Sequence, residues 1–120
     1  MFLGINFKRL VKSFKFAFAG IKTILEEEHA FKVMFFIAIL VIIAMFYFNL
    51  PLTQKAVLFL IIILVLILEL VNSVIEKLLD FVCPGLDGRV KIIKNVLAGI
   101  VLLASLGAAV IGILIFLPHV

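Results

Sequence analysis

The chain has 120 residues, of which 67% are hydrophobic and 15% charged, with a formal net charge of +4. A soluble domain is roughly 45–50% apolar and about 25% charged, and one this small still leaves much of its chain exposed. The composition therefore excludes a soluble enzyme and excludes disorder, and it describes an integral membrane protein built as one domain over residues 1–120.

The first element expected is an amphipathic helix over about 7–28. Phe7, Leu10, Val11, Phe14, Phe18, Ile21 and Leu25 recur at three- and four-residue steps and form one apolar face. Lys8, Arg9, Lys12, Lys15 and Lys22 fall largely on the other side, the pattern of a helix lying on a membrane surface against anionic lipid headgroups. Three segments then follow that are long enough to cross a bilayer, over about 31–49, 55–80 and 94–118. Each supplies the roughly 20 residues a spanning helix needs. Their apolar runs are continuous, whereas barrel strands alternate. Gly99, Gly107 and Gly112 in the third span would allow close helix approach. The first long apolar run begins only after an acidic triplet and ends without a small-residue cleavage site, so a secretory signal peptide does not fit.

Orientation follows from the basic residues. Lys8, Arg9, Lys12, Lys15, Lys22 and Lys32 precede the first span, and Lys77, Arg89, Lys91 and Lys94 surround the second loop. The first loop has only Lys55, and nothing basic but His119 follows Lys94. The positive-inside rule then places the N-terminus and second loop in the cytoplasm and the C-terminus outside. The cations are accounted for by lipid contact, so nucleic acid is not an expected partner.

The second span carries charge where charge is expensive. At 100° per residue, Glu69, Asn72, Glu76 and Asp80 stand at about 0°, 300°, 340° and 20°, on one narrow stripe. The remainder of that helix is mostly Ile, Leu and Val, so the stripe faces protein or a water-filled cavity. Glu69 sits about 10 Å deeper than Glu76 by helical rise. A clasp between helices would explain one or two such residues, whereas four in line climbing to the cytoplasmic face point to function. Glu26, Glu27 and Glu28 close the surface helix at the level of Glu76. Two carboxylates meeting there suit a divalent cation of the Mg²⁺ type, which takes its other ligands from water and phosphate. For Glu26 and Glu27 the simpler reading is a solvated helix end. Lys94 either meets a phosphate or marks the cytoplasmic side. The second loop, Cys83-Pro84-Gly85-Leu86-Asp87-Gly88-Arg89, contains turn formers and leads into Lys91 and Lys94.

Other chemistries lack their residues. A single cysteine, Cys83, allows no internal disulfide and no cysteine zinc site. His29 and His119 have no partner at ligand spacing, and the chain has neither a Walker A loop nor a GxGxxG turn.

The string Glu69-x-x-Asn72-Ser73-x-Ile75-Glu76-x-x-x-Asp80 resembles the signature of the small prokaryotic diacylglycerol kinases, a family that includes the undecaprenol kinases. Phe7-x-Arg9-x-x-Lys12 with Gly20, Glu28 before Ala30-Phe31, and Lys94 before Ala98-Gly99 extend the resemblance along essentially the whole chain. It implies an all-helical fold of three membrane helices plus a surface helix, assembled as a homotrimer in the bacterial inner membrane. Its active sites form at the cytoplasmic interface from more than one subunit. The implied activity is transfer of the ATP γ-phosphoryl group to the hydroxyl of a membrane lipid, with Mg²⁺ or another divalent cation. By position, Glu69 would take the hydroxyl proton with Asn72 positioning it. Glu28 and Glu76 would hold the metal on the nucleotide, and Arg9 and Lys94 would neutralise phosphate oxygens. Ile115-Phe116-Leu117-Pro118 and Ser13-Phe14-x-Phe16-Ala17 look more like the undecaprenol kinases. One departure is Lys94-Asn95, where the family has Lys-Asp; the loss of that charge leaves room for a weak or inactive member with a structural or regulatory role.

Overall fold

The computed structural model describes residues 4–85 and 87–120, so Leu86 of the expected turn lies outside the described residues. Four α-helices follow one another: α1 (Phe7–Glu27), α2 (His29–Tyr47), α3 (Leu52–Val82) and α4 (Gly88–Phe116), closed by a short 3₁₀ turn over Leu117–His119. The helices α2, α3 and α4 are long and apolar enough to cross a membrane. In hydrocarbon a backbone amide has no water to bond, so long uninterrupted helices are the form this sequence can take there.

Each break between helices has a local cause. The Asn6 side chain accepts the Arg9 backbone N–H at 3.2 Å and caps α1. Helix α1 ends where Glu28 turns extended, at φ −103° and ψ 112°, and α2 begins at the next residue. At the far end of α2, Asn49 takes the left-handed conformation, φ 55°. The Leu50 N–H then donates to the Met45 carbonyl at 3.1 Å, and the Asn49 N–H to Phe46 at 3.2 Å. This is the Schellman closure, with its usual apolar contact supplied by Leu50 against Met45 and with Pro51 just beyond to stop the helix. Leu58 of α3 completes that small core, and Ile115 and Phe116 of α4 pack against it.

Helix α3 is central and packs against both α2 and α4. Helix α1 is an arm: only Ile24, near its end, is buried, and the molecule measures 51 × 49 × 25 Å. Large apolar side chains cover the outside of all three long helices, and only Val101 of α4 is buried. A Cβ built on Gly99, Gly107 or Gly112 would meet nothing within 4 Å. The expected close approach at these glycines is therefore absent within one chain; at 100° per residue they stand at about 0°, 80° and 220° around α4 and share no single face.

The helices also run further than the apolar segments that define the spans. Helix α3 has 31 residues, or about 46 Å, against a hydrocarbon core of about 30 Å. Helix α4 starts at Gly88 because Asp87 caps it, accepting the Arg89 N–H at 2.8 Å, and so takes Arg89, Lys91 and Lys94 into its first turns.

The turn at Asn49 gives a direct test. A β-branched residue at a left-handed position costs about 1–2 kcal/mol, so Asn49→Val is expected to lower stability by that amount in detergent unfolding titrations. Asn49→Gly is expected to leave it unchanged.

Candidate functional site

The polar stripe of α3 begins deep and ends at the surface. Glu69, Asn72 and Ser73 are buried, at 5%, 9% and 1% exposure, and they are the buried polar side chains of an otherwise apolar core among the described residues. The Asn72 side-chain oxygen has no hydrogen-bond partner there. An unpaired buried carbonyl costs about 1–3 kcal/mol, which the fold bears at the position next to Glu69 on the stripe. Glu76, one turn on from Asn72, is half-buried, and Asp80 is exposed.

Three helices bring charge to that end. Glu28 and Glu76 both lie close enough for their charges to act on Glu69. Lys94 of α4 is ion-paired with Asp80 and also feels the charge of Glu76. Lys77 of α3 reaches the junction of α1 and α2, where its Nζ stands 3.1 Å from Glu27 Oε2 and 3.3 Å from Glu28 Oε1. Glu26 points elsewhere, to Lys22 at 3.9 Å on the same exposed face, as a solvated helix end would. Glu27 departs from that reading, because α3 offers it a cation. Residue 77 stands about 80° from Glu69 around α3, off the acidic stripe, and nothing local in sequence signals a partner fifty positions away.

Arg9 is the candidate that the single chain leaves apart. It lies 18 residues before Glu27 on one continuous helix, about 27 Å along the axis. Its guanidinium has no hydrogen-bond or ion-pair partner among the described residues. Asn95 is exposed and likewise makes no side-chain hydrogen bond there.

Among the described residues no group of three or more His, Cys, Asp or Glu side chains is placed to hold a metal ion. The acids near Glu69 offer oxygen donors only, from Glu28 and Glu76, beside the unpartnered Asn72 oxygen. That donor set fits a hard divalent cation held by one or two carboxylates and completed by phosphate and water. It does not fit a cation caged by protein ligands alone.

A cleft of about 840 Å³ opens between α2, α3 and α4. Its walls are apolar, with Ala38, Val65 and Ala109 among them. His29 lines it next to Glu28, and Leu66 lines it one turn before Glu69. At the start of α4, the Arg89 side chain, followed by its backbone N–H, holds the Asp87 carboxyl below the usual carboxylate range.

A multi-helix membrane protein with a buried carboxylate below a charged interfacial cluster, beside an apolar cleft, is the class that fold and site define. A family model described as "Prokaryotic diacylglycerol kinase" matches residues 15–116. The chain is 36% identical over 110 residues to a protein of Synechocystis sp. named "Diacylglycerol kinase", which covers 91% of this chain and 63% of that protein. The chain belongs to the prokaryotic diacylglycerol kinase family, and it spans less than two thirds of the length of that relative.

The cap at Asp87 sets where α4 begins and hence where Lys94 stands. Its depressed carboxyl contributes stability above the unfolded Asp value of about 3.9 and loses it as pH falls through the lower folded value. Asp87→Ala is expected to lower stability and to speed amide exchange over residues 88–91 at neutral pH. Asp87→Asn keeps the accepting oxygen and is expected to retain most of the protection.

Proposed function

We propose that the protein is an ATP-dependent lipid kinase, transferring the γ-phosphoryl group to the hydroxyl of diacylglycerol or undecaprenol at the cytoplasmic face of the bacterial inner membrane. The observation that carries this reading is the depth order on α3. A buried Glu69–Asn72 pair sits one to two turns below Glu76, and the wall of the apolar cleft reaches Leu66, one turn from Glu69. A lipid alcohol must stay in the bilayer while ATP stays in the cytosol, and such an arrangement meets both conditions. Family membership and the name of the relative support the same reading.

Phosphoryl transfer needs in-line positioning and charge stabilisation, and little covalent chemistry from the protein. Glu69 accepts the proton of the lipid hydroxyl, whose oxygen attacks the γ-phosphorus as the bond to the β–γ bridging oxygen breaks and ADP leaves, and Asn72 holds the hydroxyl in line. Glu28 and Glu76 hold Mg²⁺ or another divalent cation. That ion, when bound, offsets the charge of the phosphate oxygens. Lys94 turns from Asp80 to the same oxygens.

Arg9 takes the same role from the arm. Its separation along α1 favours supply by a neighbouring subunit, in keeping with a homotrimer whose sites are shared. The arm itself rests on anionic headgroups with Lys8, Lys12 and Lys15 toward the lipid phosphates. The alternative of an inactive structural member rests on Asn95 alone, and no contact of that side chain favours it.

Vesicles containing the purified protein, ATP, Mg²⁺ and either diacylglycerol or undecaprenol test the reading. The expected result is phosphorylation of one alcohol; none with either, from a properly assembled protein, refutes it. Glu69→Gln is expected to lower turnover by about 10²–10⁴-fold, the scale of a general base, with little change in ATP affinity. Glu76→Gln is expected to raise the metal requirement by about 10–100-fold.

A further inference from the structure

Beyond the residues the family signature supplies, we propose that Lys77 is a positioning residue for the Glu28 carboxylate, clamping the junction of α1 and α2 onto the turn of α3 that carries Glu76. The inference rests on the kinase reading above and adds to it the group that sets one of the two proposed metal carboxylates in place.

Glu28 is a poor ligand when left to itself. Its backbone is extended between two helices, and its side chain makes no capping bond to α2, so neither helix orients the carboxylate. Lys77 supplies that orientation from a third helix. Its ammonium contacts Glu28 through Oε1 alone, at 3.3 Å, and Glu28 Oε2 has no partner among the described residues. One oxygen is therefore held while the other stays available. The same ammonium takes Glu27 Oε2 at 3.1 Å, so two adjacent acids that would repel each other share one cation. A Lys ammonium has three donors and can serve both at once. Because Lys77 follows Glu76 directly, fixing Glu28 to Lys77 also fixes it relative to Glu76. The charge balance suits a metal: two acids less one lysine leave the junction with one negative charge. Exposed ion pairs add little to global stability, so the consequence of this one is orientation.

The experiment uses the full chain in lipid nanodiscs with Mn²⁺ and a non-hydrolysable ATP analogue, without lipid alcohol, and reads bound Mn²⁺ by electron paramagnetic resonance. Lys77→Met is expected to weaken Mn²⁺ binding by about 10–100-fold, the range seen when the partner that orients a metal ligand is lost. Lys77→Arg is expected to bind close to the parent. The exchange Lys77→Glu with Glu27→Lys is expected to recover most of what Lys77→Glu alone loses, since it restores a cation between the two helices. In the vesicle assay Lys77→Met is expected to raise the KM for metal–nucleotide and to leave kcat nearly unchanged. Mn²⁺ binding by Lys77→Met as tight as in the parent, or tighter, overturns the clamp and leaves the kinase reading standing. If Lys77→Met loses helix content, failure of the charge exchange to recover binding overturns it instead. A parent chain that neither binds Mn²⁺ with nucleotide nor phosphorylates lipid refutes both readings.

Discussion

A backbone amide in hydrocarbon must find its partner within its own helix. Most of the architecture follows from that constraint. Among the described residues the chain leaves helical geometry at Glu28, at Phe48–Pro51, at Cys83–Gly85 and at Asp87, and each of these lies at a helix end. Loops are thus confined to the two faces of the membrane, and any chemistry at depth falls to side chains on unbroken helices. Four polar residues at helical spacing on α3 are the form such a site can take. Glu69 is the extreme member, a buried carboxylate that the surrounding Ile, Leu and Val do nothing to solvate.

The same constraint explains how legible the molecule is. Composition and apolar run length are properties of single helices, and they suffice to locate three candidate spans. The stripe of Glu69, Asn72, Glu76 and Asp80 is likewise a property of one helix, read from its period. The helix ends are less legible. Helix α4 begins at Gly88, six residues before its apolar span, where the Asp87 side chain caps it. Contacts between helices are least legible of all. The pairing of Lys77 with Glu27 and Glu28, and that of Lys94 with Asp80, depend on packing angles that no local pattern encodes. The family resemblance implied Arg9 as a companion of these acids, whereas a straight α1 carries it about 27 Å from Glu27.

One chain is incomplete as a packing unit. The glycines of α4 have no close neighbour within it, and large apolar side chains on all three long helices stay exposed. Lipid can cover the large side chains, but lipid gains little from small residues, whose advantage lies in close approach of a second helix.

The length of α3 has a consequence of its own. At about 46 Å it is longer than the hydrocarbon it crosses by several turns. The surplus must be taken up by tilt or by overhang, at fractions of a kcal/mol per Å of mismatch. Glu76, Lys77 and Asp80 all fall within the last seven residues of the helix. A thicker bilayer draws this turn toward hydrocarbon and a thinner one releases it into water. Membrane thickness thereby becomes a setting for how wet the acidic stripe is, imposed by acyl-chain length and needing no ligand.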